Sequence, residues 1–146
     1  MSIAGWEHVP EEAHVGVRAW GATRGEAFAQ ATLGVFALLI APEEVERREG
    51  REVRAQAEGP EALLAAWIDE CLYVHEIEGF VPRSVEVTVC SETLAHGVLH
   101  GEPLDRERHR IRTAIERVSR HHLAAGIGAP AEVRLLVECS SDDSVS

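Results

Sequence analysis

Residues 11–28 read EEAHVGVRAWGATRGEAF. Within them Val15, Val17 and Ala19 alternate with His14, Gly16, Arg18 and Trp20, the period-2 pattern of a strand with one buried face. Gly21 ends the run, and TRGE (Thr23 to Glu26) is a capping box: the threonine hydroxyl accepts from the Glu26 amide while the glutamate reaches back. A strand, a tight turn and a capped helix are therefore expected in immediate succession. The strand opens on Glu11, Glu12 and His14, poor strand formers at the point where the chain enters its core.

Working outward, the helix continues to about Ala41 and is apolar almost all round after Ala31, which predicts deep burial; Pro42 stops it. PEEVERREG follows as a charged connector of one or two helical turns, with Glu43–Arg47 and Glu44–Arg48 at i,i+4 spacing. A short strand is expected over 51–58. Gly59-Pro60 then opens a second helix, with proline at the first position where no hydrogen bond is lost. Its Leu64, Trp67, Ile68, Cys71, Leu72 and His75 make one apolar stripe, with Glu61, Asp69 and Glu76 elsewhere. After Gly79 the pattern turns to strands: Val85, Val87 and Val89; then TLAHGVLHGEP; then 110–123 and 132–139. The fold class is α+β, a single domain over 1–139 with two helices on a mixed or mainly antiparallel sheet, in the order strand, helix, strand, helix and four strands. Residues 140–146 are read as a disordered polar tail.

The 146 residues suit one domain with a proper core, and 45% apolar with 27% charged residues is an ordinary globular composition. No run reaches the ~18 apolar residues of a membrane span, and MSIAGWEH lacks the features of a signal peptide, so the cytoplasm is the expected location. Cys71, Cys90 and Cys139 are too scattered for a disulfide framework or a zinc knuckle. Lysine and asparagine are both absent, which fits a GC-rich coding bias better than selection for arginine chemistry. A net charge of −11 argues against direct nucleic-acid binding. One segment departs from that average. Between Asp105 and His122 there are six arginines and three histidines against three acids, and Arg106, Arg108, Arg110 and Arg112 would share a face on a strand. That row is a candidate patch for an anion or a partner, against the plainer reading of a charged sheet edge.

Local catalytic motifs are missing. GATRGEA lacks the ending of a phosphate loop and AGIGAP lacks the third glycine of a dinucleotide turn. His96 and His100 would share a strand face yet stand about 13 Å apart, too far for one metal. Any site has to be assembled from separate strands.

Four segments, in order and spacing, resemble the archease family across about Trp6 to Cys139: EHVPEEAHVGVRAWGATRGEAFAQATLGVFALL, ALLAAWIDECLYVHEIEGF, GEPLDRERH and TAIERVSRHHL. The resemblance implies a small non-enzymatic cofactor protein of an RtcB-type RNA ligase, which seals RNA ends with GTP and divalent metal. Such a protein promotes guanylylation of the ligase in tRNA splicing or RNA repair, and meets GTP only indirectly. It also implies a metal site, calcium in the family, at the positions of His14, Glu138 and the Cys139 backbone carbonyl, with Glu11, Glu12, Glu116 and His121 as candidate supporting residues.

Here the chain departs from the family pattern. His14 stands where the family keeps an aspartate, Glu116 where it keeps a lysine, and Arg120 where it keeps a tyrosine; His121 retains the family's histidine. Imidazole suits a transition metal better than calcium, so the resemblance leaves calcium, a transition metal or no metal open. The exchanges at 14 and 116 also reverse the local signs, as a His14/Glu116 pair in place of an Asp/Lys pair would require. Two further readings stand beside the ligase role: a divergent member that binds another partner or small ligand, and a metal-dependent hydrolase, for which no motif supplies a nucleophile or base.

Overall fold

The strand read from residues 14–20 is β2 (His14–Gly21), and it lies inside a four-stranded sheet. The computed structural model describes residues 4–11, 14–112, 114–125 and 131–140, with the backbone alone at 11, 14, 114, 116–125, 139 and 140. Elements follow in the order β1 (Gly5–Glu11), β2, α1 (Arg24–Leu39), a 3-10 turn at Pro42–Glu44, β3 (Glu49–Gln56), α2 (Pro60–Glu78), β4 (Phe80–Cys90), β5 (Leu94–Pro103), β6 (Ala114–Ala125) and β7 (Ala131–Ser140). The first sheet runs β1-β2-β7-β6 and the second β3-β5-β4, with all neighbours antiparallel.

The α+β class stands, with two corrections. The strands form two sheets rather than one, and β1 is an additional strand ahead of the first one read. Pro10 argues locally against a strand, but β1 is an edge strand, where a missing N–H costs no ladder bond. His8 on β1 donates from Nε2 to the Gly34 carbonyl of α1 at 2.8 Å, fastening that edge to the helix.

The core lies where both helices meet both sheets. α1 packs on β2 and β7 of the first sheet and on β4 of the second, while α2 packs on β3 and β6. Val17, Ala19, Val133, Leu135 and Val137 come from one sheet, and Val53, Ala55, Ala95 and Leu99 from the other. Between the helices, Trp67 Nε1–H donates to Thr32 Oγ1 at 2.8 Å, and that hydroxyl donates to the Phe28 carbonyl at 2.8 Å. This satisfies the two polar groups that the buried inner faces carry.

The helix ends follow the sequence signals. The Glu26 amide donates to Thr23 Oγ1 at 3.1 Å, and Glu26 Oε1 accepts from the Ala22 amide at 2.8 Å, one residue ahead of the cap. α2 begins at Pro60 and ends at Gly79, whose positive φ of 68° closes the last turn. The connector is only one 3-10 turn. Neither i,i+4 pair forms in it: Arg48 Nε binds Glu46 at 2.8 Å, and Glu44 Oε1 accepts the Arg110 amide at 3.0 Å. No helix of the described residues is long and apolar enough to cross a membrane. Residues 141–146, most of the tail read from sequence, lie outside the described residues.

Candidate functional site

Two places gather charge, and the first is one end of the four-stranded sheet. β2 and β7 are antiparallel with Val15 paired to Val137, so the next step along the ladder brings positions 14 and 138 level. Glu11 pairs with His14 on the β1 side, and Arg117 pairs with Glu138 on the β6 side. One row across four strands thus reads Glu11, His14, Glu138, Arg117. Cys139 pairs with Ile115, and Glu116 is the extra residue of a β-bulge between the Ile115 and Arg117 pairs.

Four of the positions singled out in the sequence, 11, 14, 116 and 138, therefore come together with 139 at one sheet end. His121 does not: it lies in a second register break of β6, between Ser119 and Ala124. Glu12 lies outside the described residues, as do the side chains of Glu11, His14, Glu116, His121 and Cys139. β7 separates positions 14 and 116, putting their backbones two strand spacings, roughly 10 Å, apart. The residue level with His14 across the ladder is Glu138.

Alternation along the strands places Gly16, Arg18, Leu136 and Arg134 on the outer face of the same sheet. With Val9 they line a cleft of about 290 Å³ that starts two residue pairs from the row. Its rim is an ion ladder: Arg18 binds Glu7 at 2.6 Å and Glu132 at 2.9 Å, and Arg134 binds Glu132 at 3.0 Å. Arg18 also lies over the Trp20 ring at 4.7 Å. Hydrogen bonds from Arg134 and then Arg18 hold the Glu132 carboxyl below its ordinary range. The outer face of the sheet thus carries a small cleft edged by paired arginines and glutamates, and those pairs stand several ladder steps from the row at the sheet end.

The second place is the segment GEPLDRERH, residues 101–109. Gly101 and Glu102 close β5, the central strand of the second sheet. Glu102 is buried at 1% exposure. Its Oε2 accepts from the Glu46 amide at 2.8 Å and from His109 Nε2 at 2.9 Å, and its Oε1 accepts from Arg108. His109 is equally buried, and its Nδ1 accepts the Asp105 amide at 2.9 Å. One ring nitrogen accepting and the other donating describes the neutral Nε2–H tautomer.

The alternating arginines are not a strand row. Residues 106–108 are a turn and 109–112 are irregular, because the Asp105 carbonyl accepts the Arg108 and His109 amides and its carboxylate accepts the Glu107 amide at 3.0 Å. The four side chains diverge accordingly. Arg108 turns in to Glu102, and Arg112 reaches the Ala37 carbonyl of α1 at 3.2 Å. Arg106 and Arg110 line a polar depression with Glu44 and Glu107.

Burial alone would raise the Glu102 pKa, but the Glu46 amide, His109 and Arg108 together outweigh it and hold the carboxyl at about 2, against an ordinary 4.5. A depressed folded-state pKa stabilises fully above the unfolded value and loses that contribution as pH falls from about 4.5 toward 2. Glu102 is expected to account for on the order of 2–3 kcal/mol of acid destabilisation. Urea unfolding between pH 7 and pH 3 checks this, since Glu102→Gln should flatten the profile. Parallel losses in the two proteins would contradict the assignment.

Glu102 and His109 were not picked out as single residues by sequence reasoning. The signal that contains them is GEPLDRERH, each part of which has a physical reason here. The glycine admits a neighbouring strand, the glutamate is the buried acceptor, the aspartate shapes the turn, and the histidine returns to the glutamate.

The same segment bears on kinship. The model of the archease protein family (MTH1598/TM1083) matches residues 6–129, which takes in all but the first residue of β1, every element through the end of β6, and this cluster. The chain belongs to the archease family. Similar relatives include the protein archease of Thermococcus gammatolerans, 36% identical over 123 residues that cover 81% of this chain and 85% of the relative. That of Pyrococcus abyssi is 31% identical over 121 residues, with the same coverage. The solution structure of Methanobacterium thermoautotrophicum protein 1598 superposes with a TM-score of 0.73 at 26% identity, covering 92% of this chain and 98% of that one. The two-sheet arrangement is therefore the archease fold.

Proposed function

We propose that this archease is an accessory protein of an RtcB-type RNA ligase, favouring guanylylation of the ligase and so its return to further rounds of RNA sealing. The observation that carries the reading is the row Glu11, His14, Glu138, Arg117, with Glu116 in the adjoining bulge. It is built from four strands, and it falls where the archease resemblance implies the functional acids. A charged group on a strand end inside a sheet is positioned by the ladder on both sides. Such pre-positioning lets it stabilise charge in a partner's transition state without reorganising. On this reading the chain contributes no nucleophile; it docks its sheet end at the ligase active site and supplies Glu138 as a fixed acceptor and counter-charge there.

The donor set does not fit a calcium site. His14, Glu138 and the Cys139 carbonyl give two oxygen-donor groups, and Glu11 and Glu116 from the same sheet end would bring them to four, where calcium takes roughly six to eight oxygens. The borderline imidazole fits manganese, zinc or a similar ion better. No step of the proposal is routed through an ion.

Single-turnover guanylylation of the host's own ligase, with and without this protein and across magnesium, manganese, calcium and zinc, tests the proposal. Acceleration is expected, and Glu138→Ala should reduce it by about a hundredfold, the lower end of the usual scale for removing one positioned charge-stabilising group. Acceleration by the wild type that Glu138→Ala leaves intact would move the site away from this sheet end. A second reading, an archease fold that serves another partner, is favoured by His14 and Glu116 standing where the family has an aspartate and a lysine. It predicts no acceleration with any metal.

A further inference from the structure

α2 breaks two rules of a surface helix in one place. It carries five acids, Glu61, Asp69, Glu70, Glu76 and Glu78, and neither lysine nor arginine, in a chain whose net charge is −11. Two of those acids, Glu76 and Glu78, sit in its C-terminal turn, where the helix dipole disfavours negative charge. Glu78 is compensated by Arg51 at 2.6 Å. The same turn exposes apolar surface. Among the described residues three large apolar side chains are exposed, and two of them, Tyr73 at 58% and Ile77 at 65%, lie one turn apart on α2. On a helix of 3.6 residues per turn, Ala62, Ala66, Tyr73 and Ile77 fall in one outward stripe, with Asp69 and Glu76 along one flank and Glu70 along the other. The opposite face, with Leu64, Trp67, Ile68 and Cys71, is committed to the core.

From this we infer that the outward face of α2 is a docking surface for a protein carrying an apolar cleft bordered by arginine or lysine. Charge selects the occupant. A second copy of this chain would set acid against acid, and nucleic acid or an anionic membrane would be repelled. A basic protein surface gains from both elements, since Tyr73 and Ile77 supply the buried anchors and the flanking acids supply register and speed of encounter. An exposed apolar pair and a helix-end acid, Glu76, without an ion-pair partner among the described residues both cost stability in the free protein, and local rules are broken where a surface serves a partner. The inference rests on the ligase reading and deepens it: an enzyme that handles RNA presents basic surface, and α2 is where this protein grips it, apart from the sheet end that acts on the chemistry.

The test is the affinity of the full chain for the host's ligase, by calorimetry at low and high salt, with guanylylation measured at saturating protein. Tyr73→Gln/Ile77→Gln removes the anchors and Glu70→Arg/Glu76→Arg reverses the rim; all four positions are exposed, so thermal melts should stay near wild type. If either pair unfolds the helix, Glu70→Gln/Glu76→Gln carries the charge arm instead. Each pair is expected to weaken binding about tenfold or more, with salt weakening the wild type more than the rim variant, while guanylylation at saturation is preserved. Variants that bind within about twofold of a wild type that binds and accelerates would overturn the surface and leave the proposed function standing. A wild type that does not bind the ligase would overturn the function, and this assignment of the partner with it.

Discussion

Replacing Glu102 with alanine is expected to lower the stability of this archease by about 3–5 kcal/mol, the cost of breaking a buried ionic cluster from one side. The size follows from what would be left behind. The Glu46 amide, His109 Nε2–H and Arg108 all donate to one carboxylate that is 1% exposed. Alanine removes the acceptor and leaves the buried His109 N–H and the Glu46 amide without their partner, which costs more than those hydrogen bonds were worth. Arg108, 38% exposed and near Glu46 and Asp105 as well, keeps water and other carboxylates within reach. The cluster also ties three separate pieces of chain together: the connector at Glu46, the end of β5, and the loop of Arg108 and His109. Loss should therefore appear as a large fall in the urea midpoint, with hydrogen exchange rising first in residues 104–112. A fall below about 1 kcal/mol would mean that water replaces the carboxylate and the cluster is not a clasp.

The neighbouring glycine gives the second large effect. A Cβ at Gly101 would sit 1.9 Å from the Val81 carbonyl oxygen and 2.7 Å from the Pro82 Cα. Both are backbone atoms of β4, so no rotamer change relieves the overlap. The β4 register also shifts at this point, between Pro82 and Ser84. Gly101→Ala is expected to destabilise by about 3 kcal/mol, the upper end of what overpacking a dense interior costs. Gly25→Ala is the control: a Cβ there meets Val87 and Cys90 at 3.5–3.6 Å, ordinary contact on a helix. That change should be neutral or stabilising by up to about 1 kcal/mol. Equal effects at the two positions in thermal melts would show that helix or strand propensity, not the close approach of β4, decides the outcome.

How much of this was legible in the sequence depended on the range of the interaction. β2, the Thr23 cap and the Pro60 start of α2 were readable because period, cap and proline act within a few residues. β1 was hidden because Pro10 is a local argument against a strand, and only its place at the sheet edge makes it harmless. The division into two sheets was not readable, since β7 inserts between β2 and β6, and β5 between β3 and β4. The arginine alternation misled for a similar reason: a single aspartate, Asp105, folds the segment into a turn that brings Arg108 back to Glu102 and leaves Arg112 to reach Ala37 on α1. His96 and His100 fall on one strand face, yet each stands beside a different carboxylate, Glu52 at 3.7 Å and Glu86 at 3.4 Å. At the candidate site, the sequence indicated which positions to compare, while only the ladder placed Glu11, His14 and Glu138 in one row.

The row also explains why substitution need not dismantle the sheet end. Backbone register is set by the apolar alternation of Val15, Val17 and Ala19 against Val137, Leu135 and Val133, so exchanging the aspartate expected at position 14 for histidine changes the chemistry without moving the frame. Whether that altered chemistry still serves an RNA ligase is answered most directly by counting sealing events. With the host's ligase limiting and broken RNA and GTP in excess, the account predicts that adding this protein carries each ligase molecule well past a single ligation in at least one divalent metal. An unchanged number of products per ligase in every metal would contradict it.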